Sequence, residues 1–394
     1  MKIFAFGSNG SGQLAIGHTE DVSLPTECLF STPPADNDEI IQIAAGGNHT
    51  LLLTKKGHVF AAGCNTDGRC GPPLDSNTLE ENLLSFRRVV LPDPNGSLVE
   101  TFKHVSATWE GSILVASVPT ATSESSQNCD KVFVLGSTPK GELGIGTSAQ
   151  PPRPGTSIPE FPPCGTTVTA LASGMGHTVA TLSNGHVYGW GGSRKNQLGR
   201  TLQDQKIVWK PSRIEDIPFE TSGTVCGREF TVLLGDRSRG EFVVLGDPGN
   251  RWGVLDIPPS VQSLRSGSTA GGYMDIGASW HGIYVHAAPA LNTDPPSGKL
   301  LAWGRNDRGQ LPPASLPSVV KVAVGSEHVL ALLPDRSVAT FGWGEHGNCG
   351  TDTDSRGNVA GSHNAILLPD AARDAGGKVV GVGAGCATSW FLVS

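Results

Sequence analysis

A short run of apolar residues that ends in glycine recurs along the chain and predicts β-strands joined by tight turns. Its form is apolar-aromatic-x-apolar-Gly, and a polar turn with Gly-Gln/Glu-Leu often follows. Short apolar runs bounded by glycine turns are typical of strands. Seven copies are present, and they end at Gly7, Gly63, Gly136, Gly191, Gly246, Gly304 and Gly342.

A second motif lies between these copies and has the form apolar-Ala-x-Gly-x-x-His-Thr-apolar. It is clearest at 43–51 and returns at 171–178 and 322–329. Degraded copies lie at 105–113, 225–232, 276–283 and 382–390, so this motif also occurs seven times. An apolar run, a glycine turn and a second apolar run predict two antiparallel strands.

The two motifs alternate with a period of about 50 residues, which is typical of a four-stranded propeller blade. The sequence therefore predicts an all-β fold, a seven-bladed propeller that occupies residues 1–394 as one domain. The chain opens on the first motif and ends on the second. We expect residues 3–6 to pair with residues 389–393, so that one blade is built from both termini and no sheet edge stays open. The spacing between successive copies varies, and we attribute this variation to loops at 119–130, 147–164 and 351–377.

Composition narrows the classes of function. The net charge is −7, which disfavours attraction of the whole surface to nucleic acid, and no direct DNA binding is expected. No apolar run approaches the ~20 residues of a membrane span, so we expect an intracellular protein without a signal peptide. The eight cysteines form no Cys-x-x-Cys pair. Free thiols, and no metal site, are expected.

These repeats resemble the regulator-of-chromosome-condensation family over nearly the whole chain. A closer likeness, to the fungal α-tubulin-suppressor or killer-toxin-insensitivity group, rests on residues 4–10 with 17–21, on 342–350 and on 385–390. We expect nothing outside the propeller, and such a small size fits that group. A block similar to 342–350 also occurs in propellers that resemble secretion-regulating exchange factors.

The resemblance implies a partner and a process. Members of the fungal group form a heterodimer with a small Fe- or Zn-binding diphthamide-biosynthesis protein. The pair supports Elongator-dependent modification of wobble uridines in tRNA and diphthamide synthesis on elongation factor 2. The resemblance thus implies a non-catalytic adaptor, present in cytoplasm and nucleus, with the Elongator complex as a further partner. A cytoskeletal role is suggested only by the name of the group.

Candidate contact residues follow from the turn in the second motif, which lies on one propeller face near the axis. The residue before the His position is expected to point outward, and the seven such residues are Asn48, Glu110, Gly176, Glu229, His281, Glu327 and Ala387. Family members that exchange guanine nucleotides use an Asp here, and no Asp occurs in this set. Glu110, Glu229 or Glu327 could substitute, so exchange on a Ran-like small GTPase remains the alternative function. A solvated polar rim is the structural alternative.

Tryptophans flank this ring of turns. Trp109 and Trp280 precede the outward position in two copies, and Trp343, Glu345 and His346 form a third candidate group. Exposed Trp side chains often dominate binding interfaces, which predicts a docking surface. The alternative is that some of these tryptophans fill the central channel.

Chemical motifs give no support for catalysis. The sequence lacks a Gly-x-x-x-x-Gly-Lys-Ser/Thr loop, a Gly-x-Ser-x-Gly elbow and a His-Glu-x-x-His helix. No catalytic, cofactor-binding or metal-ligating residues are predicted. His49, His177 and His328 recur at one repeat position, so we expect each to form a hydrogen bond that ties neighbouring blades.

Overall fold

The computed structural model describes residues 1–73, 80–93, 95–119, 128–137, 140–147, 152–265, 271–289 and 296–394. Seven antiparallel sheets surround a central channel, and the seven-bladed all-β propeller is confirmed. We number the blades 1–7 along the chain and call their strands a to d from the channel outward. Strand a of each blade contacts strand a of both neighbouring blades, so the ring closes.

Four blades have all four strands in the described residues. In the order a to d, blade 1 consists of Val379–Ala384, Thr388–Val393, Lys2–Gly7 and Val22–Glu27. Blade 2 consists of Ile40–Ala45, His49–Thr54, Val59–Cys64 and Asn82–Arg88. Blade 4 consists of Val168–Ser173, His177–Leu182, Val187–Gly192 and Ile207–Ile214. Blade 7 consists of Lys321–Val324, His328–Leu332, Val338–Trp343 and Asn358–Ile366.

The other three blades show strands a to c in the described residues. Blade 3 consists of His104–Ala107, Gly111–Pro119 and Asn128–Gly136. Blade 5 consists of Gly223–Cys226, Thr231–Leu234 and Phe242–Leu245, and blade 6 of Tyr273–Ala278, Gly282–Ala287 and Leu300–Gly304. In blade 3, a single bridge between Phe133 and Ser157 occupies the position of strand d.

Elements outside the blades are short. Leu91–Pro92 pairs with Leu98–Val99. The helices are Arg200–Gln203, Pro259–Gln262 and Asp370–Asp374, with a 3-10 turn at Ser263–Arg265. None of the helices in the described ranges is long and apolar enough to span a membrane.

Blade 1 joins the two ends of the chain, as predicted. Lys2–Gly7 pairs antiparallel with Thr388–Val393 in a continuous register from Lys2 opposite Val393 to Gly7 opposite Thr388. The rings of Phe6 and Phe391 pack edge to face at 5.3 Å inside this blade. Both termini therefore contribute to one hydrophobic core.

The loop predicted at 351–377 is wrong in part, because it contains strand d of blade 7 and the helix Asp370–Asp374. Most side chains of Asn358–Ile366 are exposed or half-buried, so this outer strand lacks the apolar pattern of a buried one. The other two predicted loops span 119–130 and 147–164. Their residues 120–127 and 148–151 lie outside the described ranges.

The motif glycines are explained by the contact between strand c and the a–b turn. Gly342 has φ of +108°, and a Cβ there would lie 2.5 Å from the carbonyl oxygen of Glu327. A side chain is excluded both by the backbone conformation and by this contact. Glycine therefore marks the end of strand c in the sequence.

Three histidines tie blades together, as predicted. Nε2 of His49 lies 2.9 Å from Ser112 Oγ, that of His177 3.0 Å from Thr231 Oγ1, and that of His328 3.0 Å from Ser389 Oγ. Each hydroxyl belongs to the next blade and donates its own hydrogen to a carbonyl of the histidine's blade. The hydroxyl must then accept from the ring, so Nε2 carries a hydrogen. Burial lowers the pKa of each ring well below neutrality, so each histidine is the neutral Nε2–H tautomer at pH 7.

Candidate functional site

One propeller face, here called the upper face, carries both the a–b turns and the loops that follow strand c. Backbone hydrogen bonds join the two sets, for example from Cys64 N to Asn48 O at 2.8 Å and from Arg305 N to His281 O at 2.9 Å. The turns also bond to one another around the axis, from Trp109 N to Met175 O at 3.1 Å and from Trp280 N to Ser326 O at 2.8 Å. This backbone ring holds the side chains of the upper face in fixed positions.

Trp109 and Trp280 meet across the mouth of the channel. Their ring centroids are 5.9 Å apart, although the residues belong to blades 3 and 6. Both are half-buried, and they line a cavity of about 160 Å³ at the channel end. The guanidinium of Arg228 lies 5.3 Å from the Trp280 ring. The tryptophans thus lie at the channel mouth, as the channel-filling alternative expects, while each stays partly exposed. Their role as interface anchors stays a prediction.

Glu327 does not point outward, and that expectation is wrong. Its side chain is 5% exposed, and Oε1 accepts a hydrogen bond from Arg305 Nη1 at 2.6 Å. Oε2 accepts from Gln310 Nε2 at 3.3 Å and lies 3.5 Å from Arg308 Nη1. Burial opposes its ionisation, but the neighbouring His281, Arg305 and Arg308 outweigh burial and lower the pKa of Glu327. Glu327 is therefore the buried anion of an ion-pair cluster between blades 6 and 7.

Replacing Glu327 by Gln is expected to destabilise the fold by about 3 kcal/mol, because removal of one member of a buried pair leaves the other charge uncompensated. Arg305 keeps Asp307 at 2.6 Å, which limits the loss. The free energy of unfolding in denaturant measures the effect. Glu229→Gln, at an exposed residue, is the control and should change it by less than about 0.5 kcal/mol. Equal stability of the two variants would contradict this assignment.

Aromatic and charged side chains continue outward from Glu327. Arg305 lies 4.8 Å from the ring of Trp252, and Arg308 lies 5.1 Å from the ring of Trp343. Trp343 Nε1 donates to Glu345 at 3.1 Å, and its ring packs edge-on to His346 at 5.3 Å. His346 Nδ1 lies 2.7 Å from Asp21 Oδ2, which links blade 7 to blade 1.

Some of the other predicted residues are exposed to solvent, and others are buried against the protein. Asn48, Glu110, Glu229 and Glu345 are exposed, His281 is half-buried 3.6 Å from Glu327, and Ala387 is buried. The structure brings Trp280, His281, Glu327, Trp343, Glu345 and His346 into one band across blades 6 and 7. Asn48 lies apart from this band, in blade 2.

Trp252, Arg305 and Arg308 belong to the band but were missed in the sequence. All three lie in loops after a strand-c glycine, where the repeat has no fixed residue type. One sequence feature could have identified them, because Trp and Arg are concentrated in these turns, where the other repeats have small polar residues.

Comparison with known proteins agrees with this architecture. The protein-family model described as Regulator of chromosome condensation (RCC1) repeat matches residues 2–53 and 184–234. A second family model of the RCC1 repeat matches residues 40–69. These segments of the chain are therefore similar to RCC1 repeats, and the predicted resemblance to that repeat is confirmed.

Known proteins similar to this chain match most of its length. An RCC1 repeat-containing protein of Schizosaccharomyces pombe is 29% identical over 99% of this chain and 98% of its own length. The secretion-regulating guanine nucleotide exchange factor of Mus musculus is 28% identical over 90% of this chain and 76% of its own. The structure of human WBSCR16 superposes with a TM-score of 0.71 at 17% identity, with all of both chains covered. That of Prp20p from Saccharomyces cerevisiae has a TM-score of 0.70 at 19% identity, covering 99% of this chain and 90% of its own.

Potential metal ligands are dispersed in the described part of this propeller. The described residues contain no group of three or more His, Cys, Asp or Glu side chains that could hold a metal ion. All eight cysteines are free thiols, of which Cys28, Cys70 and Cys349 are buried. Burial raises the pKa of Cys226 to about 12 and that of Cys386 to about 11, so these two thiols near the channel are protonated at neutral pH.

Proposed function

We propose that this chain is a protein-docking platform without catalytic chemistry of its own, and that a partner binds to the upper face. The observation that carries the proposal is the pair Trp109–Trp280, which is held rigidly by backbone bonds and remains half-exposed. Large aromatic residues beside arginine are typical hot spots of protein interfaces. The Arg228 guanidinium next to Trp280 completes that combination.

The proposed partner is a small Fe- or Zn-binding diphthamide-biosynthesis protein, and the proposed process is Elongator-dependent tRNA modification together with diphthamide synthesis, in cytoplasm and nucleus. Support comes from the resemblance of the opening segment, the 342–350 block and the 385–390 segment to the fungal group. In the structure all three lie in the adjoining blades 7 and 1, where His346 contacts Asp21. The mechanism is steric and electrostatic, and any redox chemistry belongs to the partner.

Affinity purification of the intact chain, followed by mass spectrometry, tests the identity of the partner. A stoichiometric small metalloprotein, together with Elongator or diphthamide enzymes, is the expected result. Recovery of a nucleotide-free small GTPase in its place would replace this proposal with the alternative below.

Truncation of the tryptophans tests the surface. Trp109→Ala and Trp280→Ala should each weaken binding of the purified partner by about 2 kcal/mol, which is close to 30-fold in Kd. Phe219→Ala is the matched control, because Phe219 is a half-buried aromatic residue beside the b–c turn of blade 5, on the opposite face. Calorimetric titration gives the affinities. Unchanged affinity in both Trp variants would exclude the pair from the interface.

Guanine-nucleotide exchange on a Ran-like small GTPase is the second candidate. The name of the mouse relative favours it, and Glu110 and Glu229 are exposed on the upper face at the family's contact position. The test is release of labelled nucleotide from the GTPase at catalytic amounts of this chain. Glu229→Lys should abolish that release. Glu327→Lys is unsuitable, because a second positive charge beside Arg305 would destabilise the fold.

A further inference from the structure

A groove on the upper face lies outside the band around Glu327 and has a different character. It runs outward from Trp109 between the loops of blades 3 and 4 and encloses about 690 Å³. We call it the basic groove and define it by six of the residues that line it, Trp109, Lys140, Met175, Arg194, Lys206 and Arg228. Its volume lies within the usual range for ligand sites, roughly 300–1,000 Å³, and suits a short segment of chain better than a folded domain.

Unpaired positive charge marks this groove. In the part of the chain that the structure describes, Lys140, Arg194, Lys206 and Arg228 form no salt bridge with an acidic side chain, whereas Lys195 at the edge pairs with Asp247 at 2.8 Å. Lys140, Arg194 and Lys206 are exposed. These four cations outnumber the three glutamates that also line the groove, so a small positive surplus remains there in a chain of net charge −7 and attracts an anionic ligand locally.

Carboxylates in the same groove disfavour nucleic acid as that ligand. Glu110, Glu142 and Glu229 also line it, and a phosphate backbone would carry a charge at every nucleotide past them. A peptide carries its charges at intervals. It also brings backbone N–H groups, from which a carboxylate can accept hydrogen bonds. Trp109, Met175 and Ile207 add apolar surface between the charged groups. This mixture fits an acidic peptide with an apolar anchor.

We infer that the basic groove binds an extended acidic segment of a protein partner, with one apolar or aromatic side chain of that segment seated against Trp109 and Met175. The inference rests on the proposed role of the upper face as a docking surface, but not on the identity of the partner. The segment would extend an interface that begins at the Trp109–Trp280 pair. Charge steers its approach, and the apolar anchor fixes its register.

The experiment uses the full chain and a fluorescein-labelled seven-residue peptide in which Asp and Glu flank a central Phe. Fluorescence anisotropy measures its affinity beside two probes, the same peptide with Asn and Gln in place of the acids and a single-stranded oligothymidylate of eight nucleotides. The acidic peptide should bind at least tenfold more tightly than either. Its affinity should fall at least tenfold between 50 and 500 mM salt, because the attraction is between exposed charges.

Charge reversal locates the site. Lys140→Glu with Arg194→Glu should lower the affinity for the acidic peptide at least tenfold. Lys55→Glu with Lys56→Glu makes the same charge change in the b–c turn of blade 2, on the opposite face, and should leave the affinity within twofold. Tighter binding of the oligothymidylate, equal binding of acidic and amide peptides, or equal effects of the two double variants would each overturn the inference.

The outcome separates this inference from the proposed function. A partner whose binding depends on Trp109 and Trp280 but is unaffected by Lys140→Glu with Arg194→Glu supports the docking platform and overturns the acidic segment. Groove-dependent binding of the peptide and of the partner, with partner affinity unchanged in both Trp109→Ala and Trp280→Ala, supports the groove and overturns a platform centred on the tryptophan pair.

Discussion

A chain that lacks residues 1–7 is expected to be unfolded at 25 °C. The deletion removes strand c of blade 1, which lies between Thr388–Val393 and Val22–Glu27. It also removes Ile3, Phe4 and Phe6 from the core, where each is at most 4% exposed. Burial of such a side chain stabilises a fold by about 1.5–3 kcal/mol, so the three together approach the total stability of a typical domain, about 5–15 kcal/mol. The two remaining strand edges of the opened blade would lose their partners as well.

Near-ultraviolet circular dichroism and size-exclusion chromatography measure the effect of this deletion. Phe6→Ala gives a graded version and should lower the free energy of unfolding by about 3–5 kcal/mol. Leu24→Ala, in strand d of the same blade, is the matched control, because Leu24 is 67% exposed and its truncation should have little effect. A deleted chain that kept a cooperative transition at the original temperature would contradict closure through the termini.

Features that the sequence predicted correctly are those set by a local repeat. The glycine after strand c is required by one nearby carbonyl, as at Gly342, and it recurs because six of the seven blades have the same contact. Gly246 of blade 5 is the exception, since a Cβ there would meet only side chains. The blade-tying role of His49, His177 and His328 was likewise visible from recurrence alone. Closure followed from the order of the motifs at the two ends of the chain.

Features that the sequence did not predict depend on contacts between blades. Glu327 occupies a repeat position that is exposed in Glu110 and Glu229. Its burial results from Arg305 and Arg308, which belong to the preceding blade and to a loop with no repeat pattern. Similarly, the contact between Trp109 and Trp280 spans 171 residues of sequence, because it joins opposite sides of the channel mouth. Strand Asn358–Ile366 was missed because its side chains are largely exposed.

Acid is expected to unfold this protein near pH 5 through its buried histidines. Burial lowers the pKa of His49 to about 3 and that of His177 and His328 to about 4, whereas the unfolded chain has the ordinary value near 6.5. Between pH 6.5 and these folded values, the unfolded state therefore binds more protons than the folded state. Stability is complete above about pH 7 and decreases as the pH falls. At pH 5 each histidine contributes a loss of about 2 kcal/mol, and the three together about 6 kcal/mol.

Denaturant unfolding at pH 7.5, 6.0 and 5.0 measures this dependence. His104 and His286 add to it with the same sign, because burial also lowers the pKa of each. Carboxylates such as Glu327, with pKa lowered from 4.5, take up protons only at more acidic pH, so the interval from 5 to 6.5 isolates the histidines. His177→Gln keeps an N–H donor for Thr231 but does not titrate, and it should reduce the loss at pH 5 by about 2 kcal/mol. His18→Gln, at an exposed residue, is the control for the substitution itself and should change the free energy of unfolding at pH 7.5 by less than about 0.5 kcal/mol. If the wild-type chain were equally stable at pH 7.5 and 5.0, the three histidines could not be the buried neutral donors that join the blades.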